Sequence, residues 1–172
     1  MQLRSIDKTT YKKRLNQVQG GAVVTLLVLA LLFSELYRAL WAGGESSTLL
    51  NALAVATAAA LVALLFNRIK DKPWMADMVY LWRLKRELNR IYRSSKTLEQ
   101  ALAAGDRDAF VIQNFNLRGA KLLYEAEDNT LTLPELQEKI IELENTLSER
   151  QLTVSLDEYS PALLDGFKQR LK

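Results

Sequence analysis

Two runs without a single charge, GGAVVTLLVLALL at 20–32 and LLNALAVATAAALVALLF at 49–66, lie close together in this chain. A helix that crosses about 30 Å of hydrocarbon at 1.5 Å per residue needs roughly 20 mostly apolar residues. Residues 20–41 meet that length if Glu35 and Arg38 fall near one end, and residues 49–66 meet it almost without qualification. Only GGESST separates the two. Gly43 and Gly44 permit a tight exit from the first helix, and Ser46 or Ser47 can cap the second. So short a link predicts an antiparallel transmembrane hairpin. The first run is not expected to be a cleavable signal, because a second span follows at once.

Charge gives the hairpin a direction. Residues 1–19 carry five basic side chains against one acidic, and residues 68–96 carry nine against three. The tip has no Lys or Arg, so the positive-inside rule predicts that both termini are cytoplasmic, in a multi-pass inner-membrane protein. Lys8, Lys12, Lys13 and Arg14 before the first span, and Arg68, Lys70, Lys72, Arg83, Lys85 and Arg86 after the second, are candidate contacts for anionic lipid headgroups. The same basic collar can instead pair with the acidic half of the chain, where residues 97–172 carry fourteen acidic against eight basic side chains. That segregation, with no helix-turn-helix signature and no aromatic stacking platform, speaks against nucleic acid as a partner.

The pair Glu35 and Arg38 interrupts the first run about 22 Å along its helix from Gly20, three residues apart on one face. Tyr37 and Trp41 beside it are aromatic types enriched at membrane interfaces. One reading is an ion pair at the outer interface, with Arg38 reaching toward water. The other makes Glu35 a proton- or cation-binding carboxylate that lines an oligomeric path with Thr25, Ser34, Asn51 and Thr57. In the second run Ala52, Ala56 and Ala60 recur at four-residue spacing, with Ala59 and Ala63 adjacent. Such a face lets helices approach closely, against either the first span or another copy.

The remainder predicts an all-α cytoplasmic domain, an antiparallel helical bundle. The domain boundaries expected are a basic segment at 1–19, the hairpin at 20–67 and the helical domain at 68–172. Pro73 suits a helix first turn, with Asp71 as a possible cap. Leu81, Leu84, Leu88, Ile91, Ser95, Leu98 and Leu102 form a heptad seam that predicts one long helix to about Ala103, stopped by Gly105. Asp106 caps a helix to about Ala126 with Ala109, Ile112, Phe115, Gly119, Leu122 and Ala126 on one stripe. Thr132 and Glu135 read as a capping box around Pro134, followed by a second seam through Leu133, Leu136, Ile140, Leu143 and Leu147. TVS at 153–155 suggests a short extended piece. Ser160-Pro161 starts a final helix with Leu164, Phe167 and Leu171 inward and Lys168, Arg170 and Lys172 outward. The seams pack either within one chain or between chains as a coiled coil.

The chain has no cysteine and no histidine, which excludes disulfides, thiolate metal sites, cysteine nucleophiles and imidazole acid–base chemistry. No cofactor, metal or enzymatic activity is expected; Glu125, Glu127 and Asp128 in EAED read as a solvated acidic turn rather than a metal site. The segments KDKPWMADMVYLWRLKRELNRIYR and LYEAEDNTLTLPELQEKI resemble an uncharacterised family of gammaproteobacterial membrane proteins, catalogued as a domain of unknown function. The resemblance implies a bacterial inner-membrane protein and carries no activity, ligand or catalytic residue. The function expected is that of a membrane-anchored interaction or scaffold protein, with a homo-oligomer or a protein partner held through the helix seams. The alternative is a small oligomeric channel or transporter subunit using Glu35.

Overall fold

The computed structural model describes residues 1–41, 43, 45 and 47–170. Among them the chain is all-helical, with seven α-helices and no strands: α1 (Lys8–Trp41), α2 (Thr48–Ile69), α3 (Ala76–Tyr92), α4 (Ser95–Ala104), α5 (Arg107–Glu127), α6 (Leu133–Glu149) and α7 (Pro161–Arg170). Single 3-10 turns sit at Pro73–Met75 and Leu156–Glu158. The chain divides into two compact units, one of Thr9–Val79, the other of Met1–Lys8 with Tyr80–Lys172.

In the first unit, α1 begins well before the apolar run and takes in the basic stretch from Lys8. Both α1 and α2 are long and apolar enough to cross a membrane. Their large apolar side chains face outward, as at Val24, Leu31, Leu32, Leu49 and Leu64, each more than half exposed. Gly43 adopts the left-handed φ of +57° expected of a tight exit, a region that favours glycine. Ser47 occupies the cap position of α2 without a side-chain cap bond. Gly44 and Ser46, named for the same turn, lie outside the described residues, as do Leu171 and Lys172, both expected in the final helix. Pro73 starts a 3-10 turn rather than a helix, and the residue that precedes it, Lys72, makes no side-chain cap; Asp71 is exposed.

The second unit is a helical bundle built around α5. The sequence stripe expected one buried face on this helix, and Ala109, Ile112, Phe115, Gly119 and Ala126 are buried as expected. Phe110, Val111, Asn114, Leu117 and Leu123 are buried as well, so α5 hides most of its circumference. That is the signature of a central helix, enclosed by neighbours on more than one side. Phe110 and Leu117 pack against Leu136, Ile140 and Leu143 of α6. Burying a large apolar side chain of this kind contributes about 1.5–3 kcal/mol. At Gly119 an added Cβ would stand 3.1 Å from Leu88 Cδ2 and 3.3 Å from Leu84 Cδ1, so the missing side chain lets α3 approach α5.

The long helix expected through Ala103 is two helices. Ser94 donates its N–H to Ile91 O at 2.8 Å, a three-residue step that tightens the backbone before α4 restarts. Serine competes with the backbone for hydrogen bonds and holds a helix interior poorly, so Ser94-Ser95 is a natural break. The kink shifts the seam, burying Ser94 and leaving Ser95 partly exposed. Gly105 ends α4 in the left-handed region at φ +83°, and Asp106 caps α5 by accepting from the N–H groups of Asp108 and Ala109 at 2.8 and 3.3 Å.

The Thr132–Glu135 capping box does not form. Thr132 already has helical φ and ψ and makes no side-chain cap bond, Pro134 offers no N–H, and Lys139 donates to the Glu135 carboxylate at 2.6 Å one turn on. A capping box does form at Ser155 and Glu158, where Ser155, the last of the residues expected to be extended, has extended φ and ψ and leads into the 3-10 turn. Ser155 N–H donates to Glu158 Oε1 at 2.7 Å, and Asp157 N–H donates to Ser155 Oγ at 3.3 Å.

Candidate functional site

Among the described residues of the bundle, Glu87 is the one charged residue that is buried. It lies in the basic stretch of α3, but the helix period turns it inward beside Leu84, Leu88 and Ile91, and the whole residue is 7% exposed. A carboxylate at that depth must be compensated. Tyr159 donates its hydroxyl proton to Glu87 Oε1 at 2.6 Å, and Arg90 Nη1 donates to Oε2 and Oε1 at 2.8 and 3.1 Å. The other guanidinium nitrogen of Arg90 donates to Asp165 Oδ1 on α7 at 2.6 Å. Lys168 adds a bond from Nζ to the Arg90 carbonyl at 3.3 Å, near the C-terminal end of α3 where a cation is favourable.

Tyr159 itself is buried, its ring stacked on Phe115 of α5 with centroids 3.8 Å apart. Burial first, and the bond to Glu87 second, hold its phenol far above the ordinary tyrosine range. At neutral pH it therefore keeps its proton and donates it in the hydrogen bond to Glu87. The cluster fixes the segment around Tyr159 and α7 against α3 and α5, with each charge matched.

The first eight residues join the same unit. Arg4 N–H donates to the Tyr80 hydroxyl at 3.0 Å, and that hydroxyl donates to the Gln2 carbonyl at 3.1 Å. The Arg4 guanidinium lies 4.5 Å over the Tyr80 ring, and the N-terminal ammonium donates to the Tyr159 carbonyl at 3.4 Å. The expected boundary at residue 19 carried no hint of this docking.

A groove of about 620 Å³ runs between α3, α4, α5 and α6, and none of the cluster residues lines it. Leu88, Ile91, Leu98 and Leu117 line it, and Asn89, Tyr92, Glu99 and Lys139 contribute polar groups.

The cationic residues singled out in the sequence divide by what they touch. Lys8 pairs with Asp128, and Lys85 donates to Glu127 at 3.0 and 3.3 Å. Arg14 donates to the Trp74 carbonyl at 3.3 Å, and Lys12 is also engaged. Lys13, Arg68, Lys72, Arg83 and Arg86 are exposed, and Lys70 is half-buried. The acidic EAED turn is thereby largely used up: Glu127 and Asp128 hold lysines, and Glu125 is exposed.

In the apolar unit, Arg38 and Glu35 stand 3.4 Å apart as an ion pair, with the Glu35 side chain 69% exposed. The rings of Phe33, Tyr37 and Trp41 meet in tilted pairs along the same stretch, with centroids 5.8 and 5.1 Å apart. Ser34 donates to Asn51 Oδ1 at 2.6 Å, and the Tyr37 hydroxyl meets Thr57 Oγ1 at 2.9 Å. Because Thr57 donates its own proton to the Leu53 carbonyl, Tyr37 is the donor in that pair. Ala52, Ala56 and Ala60 are exposed; the fully buried alanines of α2 are Ala54 and Ala58. The polar residues Asn51 and Thr57 flank that second stripe, a signal that small-residue spacing alone did not carry.

The chain belongs to the DUF3087 family. The family model, described as a protein of unknown function, matches residues 1–164, as the resemblance of the two quoted segments implied. The DUF3087 match takes in both apolar helices, the docked N-terminal octet, and Glu87, Arg90 and Tyr159 of the cluster, while Asp165 and Lys168 lie beyond it. No curated protein and no solved structure matches the chain.

Proposed function

We propose that this chain is a membrane-anchored helical interaction or scaffold protein of a bacterial inner membrane. In this reading α1 and α2 form an antiparallel transmembrane hairpin, both termini are cytoplasmic, and the helical bundle works at the cytoplasmic face. One observation carries the anchor. The most apolar stretch of α1 contains no fully buried residue, and α2 buries only Ala54 and Ala58. A core helix of a water-soluble protein hides its apolar side chains, whereas these two present them to their surroundings, as lipid requires. The charge pattern supplies the direction, with basic residues flanking both apolar runs and none at the tip.

The bundle supports binding over chemistry. Its seams are buried within the chain at Leu81, Leu84, Leu88, Ile91, Leu136, Ile140 and Leu143, so the groove over Leu98 and Leu117 is the recess left for a partner. The carboxylates of Glu87, Glu127 and Asp128 are occupied by cations of the same chain. The channel reading is weaker, because Ser34, Asn51 and Thr57 satisfy their hydrogen bonds between α1 and α2 instead of lining a path.

The absence of cysteine makes the test clean. Single-cysteine variants Glu45→Cys at the tip and Asn145→Cys on the exposed face of α6 should react oppositely with an impermeant maleimide applied to spheroplasts. The tip site labels at once and the α6 site only after lysis. Labelling of both before lysis, or of neither, rejects the proposed topology. Gentle extraction from native membranes then reads the scaffold role: a second protein in fixed ratio supports it, and a ring-sized homo-oligomer favours the channel.

A further inference from the structure

Helix α3 has a second face that the bundle leaves exposed, and Asn89 and Tyr92 on it also border the groove described above. At 100° per residue, Trp82, Arg86, Asn89 and Arg93 fall on one line, opposite the buried Leu84, Leu88 and Ile91. Arg83 flanks that line on one side and Tyr92 on the other. Trp82 is 66% and Tyr92 74% exposed, and the three arginines are exposed. Arg83, Arg86 and Arg93 form no ion pair among the described residues. The acidic residue of their own helix turn, Glu87, is buried and saturated by Tyr159 and Arg90, so it does not neutralise them. The neighbouring Lys85 is already held by Glu127 and is not part of the set.

A line of unpaired guanidinium groups bracketed by two exposed, amphipathic aromatic rings fits one kind of surface. Arginine matches phosphate with a planar fork of donors, and Trp and Tyr settle at the headgroup level of a bilayer. We infer that the Trp82–Arg86–Arg93 face of α3, with Arg83 and Tyr92, is a docking surface for anionic phospholipid headgroups. It holds the bundle against the leaflet as a second contact beyond the anchor. The inference rests on the membrane reading above, since α3 follows α2 after the short link 70–75 and a lipid surface is then always within reach. It also revises which cations matter: of Arg83, Lys85 and Arg86, the structure keeps the two arginines and adds Arg93.

Of the three tryptophans only Trp82 lies on this face, so the full-length Trp41→Phe/Trp74→Phe variant makes it the reporter. The protein is reconstituted into vesicles of phosphatidylcholine alone or with phosphatidylglycerol, and carbonate extraction is run on the same samples. With anionic lipid, Trp82 emission should shift to the blue and be quenched by brominated lipid, and the shift should fade in high salt. At about fivefold per cation, Arg83→Gln/Arg86→Gln/Arg93→Gln should cut the preference for the anionic surface on the order of 100-fold. The corresponding triple lysine variant keeps the charge and should retain most of the preference. Trp82 emission that ignores lipid charge, or a shift that follows protein density instead, overturns the docking surface while leaving the anchor intact. Release of the chain by carbonate overturns the anchor, and the Trp82 shift still reports independently on headgroup contact.

Discussion

The Tyr159 hydroxyl donates to Glu87 Oε1 at 2.6 Å, tying an irregular segment near the C-terminus to the buried face of α3. The stacking of Tyr159 on Phe115 survives in Tyr159→Phe, so that variant removes the hydrogen bond alone. Leaving a buried carboxylate one donor short costs about 1–3 kcal/mol. Chemical denaturation in mild detergent, followed by far-UV circular dichroism, should show a loss in that range.

The same residue predicts an alkaline limit. Its folded-state pKa is raised, chiefly by burial, above the ordinary tyrosine value of 10.0. Its contribution to stability is therefore complete below about pH 10 and declines as the pH rises further, when the unfolded chain ionises and the folded one does not. Between pH 9 and pH 11 the wild-type chain should lose stability faster than Tyr159→Phe. Parallel slopes for the two proteins reject this account of Tyr159.

Arg90 carries more than Tyr159. It is the only basic side chain in contact with Glu87 among the described residues, and it also holds Asp165. Removing one partner of a buried ion pair leaves an uncompensated charge, at a cost of about 3–5 kcal/mol. Because Arg90 keeps some solvent contact, Arg90→Met should fall at the low end of that range. The double variant Glu87→Gln/Arg90→Met should recover part of the loss, because the amide no longer brings a charge indoors. A double variant as unstable as Arg90→Met would mean that the loss comes from the arginine's packing.

What the sequence made legible follows from the range of each interaction. Helices and their stops are local, and Gly105, Asp106 and Pro161 mark real ends. The apolar runs and the Glu35–Arg38 pair are equally local, the latter only three residues apart. Glu87 was hidden because it sits amid arginines in a stretch that reads as a solvated basic face; only the tertiary fold shows which donors surround it. The docking of Met1–Lys8 on Tyr80 and Tyr159 has no periodicity to announce it. The helix break at Ser94 was missed because the leucine seam continues across it, and hydrophobic spacing outweighed the weak helix propensity of two serines.

Gly119 tests the close approach of α3 and α5. A methyl there would press on Leu88 Cδ2 at 3.1 Å and Leu84 Cδ1 at 3.3 Å, both flexible side-chain ends. Overpacking of this sort costs about 1–3 kcal/mol, and the gain in helix propensity returns up to about 1 kcal/mol. Gly119→Ala should therefore be mildly destabilising. Gly119→Leu, whose branches have no space to enter, should expose the core to 1-anilinonaphthalene-8-sulfonate. A Gly119→Leu chain as stable as wild type would show that α3 can retreat.

In the apolar unit, Asn51 accepts from Ser34 at 2.6 Å, and in the proposed membrane hairpin lipid would offer no substitute partner. Such bonds between helices in a membrane average about 0.6 kcal/mol and reach about 1.7 kcal/mol, because the separated helices also find partners. Asn51→Leu leaves the Ser34 hydroxyl free to turn back to a carbonyl of its own helix, as Thr57 already does toward Leu53. The variant should therefore lose stability within that range. Had Asn51 instead lined a conducting path, the substitution would leave stability untouched and abolish ion flux from loaded vesicles. Measuring unfolding and flux on the same preparation separates a side chain that joins two helices from one that serves a pore.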